Sequence, residues 1–169
     1  MKKNTYLSLL MVALFCSSSS LHAGTNNDYP MLNFTAGIIG ILDGPPKNAN
    51  NFGIEYRSKK ITKWDLIPAY GYSWSDNSTQ YGYADLKHDW EFSNNLVFTT
   101  SLGIGLFDNS DDLDLGHAIE FRSGFELSYR FNKGYRLGLA AIHLSNSKIA
   151  NKNPGTELFV VSFLMPLHR

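Results

Sequence analysis

Strict alternation along residues 119–131 is the feature that most constrains how this chain can fold. One parity is apolar or aromatic except for Ser123, and the other is charged or small: Glu120, Arg122, Gly124, Glu126, Ser128 and Arg130. Successive side chains of a β-strand point to opposite faces of the sheet. The segment therefore predicts a strand with one oily face and one charged face.

The same period of two recurs along the chain and predicts eight strands, each about as long as a tilted membrane-spanning strand. The segments are residues 32–42, 52–57, 65–74, 84–92, 96–106, 119–131, 136–145 and 157–165. Long polar connections (43–50, 75–79, 108–114 and 147–156) alternate with tight turns (60–62, 93–95 and 132–134). Because long loops at one end and short turns at the other are typical of outer-membrane barrels, we predict an all-β fold, an eight-stranded antiparallel transmembrane β-barrel.

The polar parity of these strands is expected to point into the barrel. It carries both signs of charge, in Glu55, Arg57, Asp65, Asp85, Lys87, Asp89, Glu120, Arg122, Glu126, Arg130 and Arg136. Eight strands leave an interior just wide enough for side chains, so we expect a packed network of ion pairs and not a pore. Pro68 lacks an N–H group and predicts a bulge in the third segment.

The N-terminus has the pattern of a secretory signal peptide. Lys2 and Lys3 precede an apolar run that is too short to span a membrane as a helix, and the small residue Ala23 follows. We expect residues 1–23 to be the signal peptide and residues 24–169 to be the outer-membrane barrel domain. Without the two lysines, thirteen basic residues remain against fifteen acidic ones, a balance that gives no reason to expect a nucleic-acid partner.

Three residues near the C-terminus have the chemistry of a serine-hydrolase triad. His143 and Ser145 share a parity on the seventh segment, and Glu157 lies on the eighth. Residues i and i+2 of a strand share a face with Cα atoms roughly 6.5–7 Å apart, so the imidazole and the hydroxyl stand side by side. A base, a hydroxyl nucleophile and a carboxylate that orients the base are the parts of nucleophilic acyl transfer.

Parity places these three residues on the lipid-facing side, because Arg136 on the other parity of the seventh segment belongs with the charged interior. Polar groups that face lipid are costly, so their clustering is a functional hypothesis. Two simpler explanations stand beside it. Each residue could meet lipid headgroups by itself, or the alternation could slip by one residue at a bulge and turn His143 inward.

The spacing of the polar C-terminal residues forms a signature: His143, Ser145, Asn146, Asn153, Gly155 and Glu157. This signature resembles that of the lipid A 3-O-deacylase (PagL) family, eight-stranded outer-membrane barrels whose active site faces lipid. Residues 121–142 are also similar to the C-terminal half of that family. The resemblance implies that Ser145 is the nucleophile, His143 the general base and Glu157 the acid that orients the base.

Further site residues follow from the same resemblance. Asn146 would help to stabilise the oxyanion, and Asn153 and Gly155 would shape the site. Lys148 departs from the family, which often has a glycine at that position with a freer backbone whose N–H can join the oxyanion hole. Lys148 and Lys152 lie in the loop over the site, where they could meet lipid A phosphates or be ordinary surface lysines.

The function implied by the resemblance is removal of the ester-linked 3-hydroxyacyl chain at the 3-position of lipid A, in the lipopolysaccharide of the bacterial outer membrane, with no cofactor and no metal. Two other functions stay open at this point: a non-enzymatic barrel that serves as an adhesin or membrane stabiliser, and a lipid A acyltransferase in which a lipid hydroxyl replaces water. The sequence also leaves open whether the barrel pairs with another copy as a homodimer.

Overall fold

The protein is a closed barrel of eight antiparallel strands in the computed structural model, which describes residues 28–44, 47–61, 63–92 and 94–167. The strands are β1 (Met31–Ile39), β2 (Ala49–Arg57), β3 (Leu66–Ser75), β4 (Gln80–Glu91), β5 (Leu96–Asp108), β6 (Ile119–Arg130), β7 (Arg136–Ser145) and β8 (Thr156–Pro166). Each strand pairs with the next, and β1 pairs with β8 to close the barrel. The predicted fold is confirmed. The predicted signal peptide lies outside the described residues.

The connections separate the two ends of the barrel. One end carries residues 40–48, 76–79, 109–118 and 146–155, and the opposite end carries residues 58–65, 92–95 and 131–135. We call the first end the extracellular end, because the longer loops of outer-membrane barrels lie outside the cell. Closure pairs the edges of all eight strands, which a β-structure needs in order to cross a bilayer. In the described ranges, no helix is long and apolar enough to cross a membrane.

Charged side chains fill the barrel interior. Arg57 lies between two carboxylates, with 2.7 Å from its Nε to Glu55 Oε1 and 2.7 Å from its Nη2 to Glu126 Oε2. Lys87 Nζ lies 3.1 Å from both Glu55 Oε2 and Asp85 Oδ2. Further ion pairs join Arg122 to Asp85, Arg136 to Asp89 and Arg130 to Glu91. A central cavity of about 30 Å³ has room for only about two water molecules, so the interior is a packed network.

Two details differ from the sequence-based expectation. Asp65 does not join the interior network: it is exposed and precedes β3 with a φ of 56°, so its carboxylate stays in water. Pro68 causes no bulge, because β3 and β4 stay in continuous register through the Pro68 and Leu86 pair. On its other side, β2 ends at Arg57, and the Pro68 carbonyl accepts a hydrogen bond from Ser58 N at 2.8 Å. The proline nitrogen, which has no hydrogen to donate, thus lies one residue past the last β2 pair, where the pairing of β2 with β3 ends without a bulge.

The outer surface of the barrel is largely apolar. Exposed outward-facing side chains include Phe34, Ile38, Phe52, Ile54, Tyr70, Leu86, Leu102, Ile104, Phe125, Leu127, Leu139, Val161 and Phe163. They form a belt suited to hydrocarbon, as expected of a membrane barrel. Polar side chains on this surface therefore stand out, and a group of them lies at the extracellular end of β7 and β8.

Candidate active site

β7 presents two of the predicted site residues on the outer face of the barrel. Ile142 and Leu144 are buried, whereas His143 and Ser145 are partly exposed. The ladders from β6 to β7 and from β7 to β8 continue through this stretch without a bulge. The alternative register that turns His143 inward is therefore wrong, and the imidazole and the hydroxyl both face outward.

Glu157 lies directly opposite His143 across the ladder between β7 and β8. His143 Nδ1 and Glu157 Oε1 are 3.2 Å apart, and the two side chains are 44% and 31% exposed. The backbone of the glutamate is fixed from the other side, because Gly40 N donates to Glu157 O at 2.9 Å. When Nδ1–H donates to the carboxylate, Nε2 keeps the free lone pair. This is the tautomer that a general base requires.

Ser145 joins the pair through its position on the strand. It lies two residues from His143 on the same face, although its hydroxyl makes no hydrogen bond to the imidazole among the described residues. Catalytic hydrogen bonds are often long without substrate and shorten when it binds. A second hydroxyl, that of Ser123 on β6, lies directly opposite His143. Sequence spacing could not single out Ser123, because only the strand register brings it beside the imidazole.

Asn146 anchors the loop that follows the site and is fully buried. Its Nδ2 donates to Leu115 O at 3.0 Å and to Lys152 O at 2.8 Å. Its Oδ1 accepts from Lys148 N at 3.0 Å, and its own N–H donates to Asn153 Oδ1 at 3.0 Å. These bonds fit the site-shaping role expected of Asn153, and they give Asn146 a similar role in addition to the oxyanion role expected of it. A hydrogen bond from the Asn146 amide to an oxyanion would require one of the two Nδ2 bonds to break.

The residues after Asn146 form a tight turn with an unusual backbone. Ile149 N donates to Asn146 O at 3.0 Å, and the central residues Ser147 and Lys148 have φ values of 51° and 66°. Positive φ at both central positions is typical of a type I′ turn, which prefers asparagine and glycine. A residue with a Cβ costs roughly 1–2 kcal/mol in this conformation. The Ser147 N–H makes no hydrogen bond within the described ranges, so it is an available donor two residues from Ser145.

Gly155 leaves room for the imidazole. A Cβ at this position would lie 3.0 Å from His143 Cε1 and 3.2 Å from Leu144 O. The backbone φ of 68° also favours glycine. The contact and the conformation both account for glycine here and agree with its expected site-shaping role.

The loop of residues 109–118 supports the site loop from behind. Leu115 is fully buried and accepts the hydrogen bond from Asn146. Lys152 forms an ion pair with Asp114, and its hydrogen bond holds the pKa of that carboxyl below the usual range. This support is not predictable from the sequence, because neither loop has a periodic pattern that would place the two against each other.

Known proteins resemble this chain in sequence. Residues 50–166 match the family model described as Lipid A 3-O-deacylase (PagL). The Lipid A deacylase PagL of Bordetella bronchiseptica is 24% identical to this chain over 182 aligned positions, which cover 96% of both chains.

Solved structures share the barrel. The crystal structure of the outer membrane enzyme PagL matches with a TM-score of 0.65 at 15% identity, over 81% of this chain and 99% of that one. Neisserial surface protein A matches with a TM-score of 0.57 at 15% identity, over 85% and 99% of the two chains. A de novo designed transmembrane β-barrel gives 0.55 at 13% identity, over 82% and 96%. A barrel shared this widely does not define a function by itself, but the family model covers well over half of the chain. This chain therefore belongs to the lipid A 3-O-deacylase (PagL) family of outer-membrane hydrolases.

Proposed function

We propose that this enzyme removes the 3-O-linked acyl chain of lipid A with Ser145 as nucleophile, His143 as general base and Glu157 as the group that orients the base. The observation that carries the proposal is the 3.2 Å contact between His143 Nδ1 and Glu157 Oε1 on the lipid-facing surface. Ionisable side chains at such a position are expensive and are usually functional. Ser145, two residues along the same face, is the hydroxyl that the pair would activate.

The first half of the reaction transfers the acyl group to the enzyme. His143 Nε2 takes the hydroxyl proton while Ser145 Oγ bonds to the ester carbonyl carbon, and the carbonyl oxygen becomes an oxyanion. The intermediate then breaks its bond to the sugar oxygen, which receives the proton from the imidazolium.

The second half of the reaction frees the enzyme. Water from the extracellular rim gives a proton to His143 and attacks the acyl-serine, so that a 3-hydroxy fatty acid leaves and the serine regains its proton. Glu157 stabilises the imidazolium in both halves.

The oxyanion requires a hydrogen-bond donor close to Ser145. Both Nδ2 hydrogens of Asn146 already bind backbone carbonyls, so we assign the donor role to the Ser147 N–H, which has no hydrogen-bond partner in the described ranges. Asn146 and Asn153 would contribute by holding the turn in place. A donor that is fixed before the reaction stabilises the developing charge without a cost of reorganisation.

The outward position of the triad suits a substrate that stays in the membrane. Lipid A can diffuse laterally until its ester meets Ser145, and its acyl chains never have to leave hydrocarbon. Farther along β7, Ala141 lies between Phe125 of β6 and Phe159 of β8 on the outer face. We infer that the small side chain between two large ones makes room beside His143 for the acyl chain.

The proposed function also concerns removal of the signal peptide and assembly of the barrel in the membrane. We infer that residues 1–23 are removed during export and that residues 24–169 form the outer-membrane domain. All three residues of the proposed triad belong to one chain, and a homodimer stays a prediction. If two copies pair in the membrane, their contact must leave the outer face of β7 and β8 open to lipid.

Mass spectrometry of lipid A tests the proposed function. Lipid A from cells that produce the protein should lack one 3-hydroxyacyl chain that is present in cells without it. Gain of a chain would indicate an acyltransferase. Unchanged lipid A in the presence of folded protein would indicate a barrel without this activity.

A further inference from the structure

We propose that Lys148 binds a phosphate of the substrate headgroup and gives the enzyme its preference for phosphorylated lipid A. This inference rests on the proposed function, because it places the phosphate next to the ester that Ser145 attacks. It is carried by two features of the turn after the nucleophile, the unpaired charge of the lysine and its backbone conformation.

Lys148 is the one cation of the described extracellular loops that has no carboxylate partner. These loops contain three lysines and no arginine. Lys152 pairs with Asp114, and Lys47 Nζ lies 3.8 Å from Asp43 Oδ1. The Lys148 side chain is exposed and forms no ion pair or hydrogen bond with the described residues. Its ammonium group is therefore free to meet an anion at the membrane surface.

The backbone fixes the point from which this side chain extends, close to the nucleophile in the chain. Asn146 is fully buried, and its Oδ1 holds Lys148 N at 3.0 Å, so the Cα atom of the lysine is anchored three residues from Ser145. The φ of 66° is one that glycine would adopt at little cost, whereas lysine pays roughly 1–2 kcal/mol. No hydrogen bond or ion pair of the lysine side chain within the described fold offsets this cost. An interaction with a bound ligand would offset it.

Phosphate is the anion that the position fits. Lipid A carries phosphates on the sugars that also carry its ester-linked chains, so a lysine next to the ester-cleaving serine lies close to them. Lysine binds phosphate as a compact point charge. One lysine near an anionic membrane surface strengthens binding about fivefold. Because the phosphate takes no part in the bond changes, this gain should appear in KM and leave kcat unchanged.

The experiment compares two substrates in neutral detergent micelles: lipid A with both phosphates, and the same lipid A without the phosphate on the sugar that carries the 3-O ester. The folded enzyme is assayed unchanged and as Lys148→Gln, Lys148→Arg and Lys148→Gly. Glutamine removes the charge and keeps a side chain in the turn, arginine keeps the charge, and glycine removes both the charge and the backbone cost. Lys47→Gln is the matched control, since it removes a lysine from a neighbouring loop that already has a carboxylate partner.

For the unchanged enzyme, we expect KM to be about fivefold lower on the phosphorylated lipid. Lys148→Gln and Lys148→Gly should both remove this difference with little change in kcat, and Lys148→Arg and Lys47→Gln should keep it. Equal KM values of the unchanged enzyme on the two lipids, or a preference that persists in Lys148→Gly, would overturn the inference. Strong competition by inorganic phosphate, compared with chloride at equal ionic strength, would overturn the assignment to a lipid-borne phosphate.

The two proposals fail in different ways in this assay. Hydrolysis of both lipids with no dependence on Lys148 contradicts only the phosphate site. Hydrolysis of neither lipid by the unchanged enzyme contradicts the proposed function and the phosphate site together.

Discussion

Glu157 gives the site its charge. Its carboxylate lies 3.2 Å from the imidazole of His143 on a surface otherwise built for hydrocarbon. In Glu157→Gln the shape is kept and the charge is lost, so the imidazolium that forms during the reaction is less stable. We expect kcat to fall on the order of 10²–10⁴-fold with little change in KM. The measurement is steady-state kinetics of the detergent-folded enzyme, and an unchanged kcat would reduce the site to a dyad of Ser145 and His143.

Gly155 tests how closely the imidazole is held. In Gly155→Ala, the new methyl group would lie 3.0 Å from His143 Cε1 at a φ of 68°, so both the ring and the backbone must shift. Because a displacement of about 1 Å can cost on the order of 10²-fold in rate, we expect a fall in kcat of about that size while the barrel stays folded. Gly82→Ala is the matched control, since a Cβ there meets nothing within 4 Å. Equal activity of the two variants would contradict this role of Gly155.

Among the residues of the site, parity alone placed His143, Ser145 and Glu157 on the outer face. The position of Ser123 opposite His143 was not predictable, because it depends on the register between β6 and β7. The bonds of the Asn146 amide were hidden for a similar reason: its partners Leu115 and Lys152 belong to loops without a periodic pattern.

The Asn146 side chain joins two loops to the end of β7. Asn146→Ala removes the hydrogen bonds to Leu115 O, Lys152 O and Lys148 N at once, and each such hydrogen bond is worth about 1 kcal/mol. We expect loops 109–118 and 146–155 to exchange amide hydrogens faster and kcat to fall, with the strands unaffected. Asn151→Ala, an exposed change in the same loop, is the control. Unaltered exchange in both loops of Asn146→Ala would show that this residue does not anchor them.

The strands were the most predictable elements, because alternation of oily and polar side chains is imposed by lipid outside and charge inside. Their pairing in sequence order followed from the barrel. The position of Asp65 was not predictable from parity alone. The alternation of the third segment is the same whether the strand begins at Asp65 or at Leu66, and in the structure it begins at Leu66. The bulge predicted at Pro68 is absent for a reason that the sequence does not show. A proline disrupts a sheet where the neighbouring strand needs its N–H, and β2 ends at Arg57, before it reaches Pro68.

The ion-pair network of the interior supports the whole barrel, which carries the site on its outer surface. Glu55 is buried and binds Arg57, Lys87 and Tyr83. In Glu55→Ala, Arg57 keeps Glu126 and Lys87 keeps Asp85, but the two buried cations lose the carboxylate that they share. The interior then holds uncompensated positive charge, so we expect a loss of about 3–5 kcal/mol in the free energy of unfolding. This loss should lower the temperature at which the barrel unfolds in detergent, which is measured by the change in gel mobility on heating. Asp111→Ala in an exposed loop should leave that temperature nearly unchanged, and equal temperatures in the two variants would argue against a stabilising network.

We propose that an outward-facing serine next to His143 attacks the ester of a lipid in the membrane. Two serines flank that imidazole: Ser145 on β7 and Ser123 on β6. Only Ser145 is followed by a turn with a free N–H group for the oxyanion.

The most direct measurement is mass spectrometry of lipid A after incubation with folded Ser145→Ala and Ser123→Ala. We expect Ser145→Ala to release the 3-hydroxy fatty acid about 10⁶-fold more slowly or not at all, and Ser123→Ala to keep most of the activity. Near-normal release by Ser145→Ala, with loss in Ser123→Ala, would contradict the account and move the nucleophile to β6.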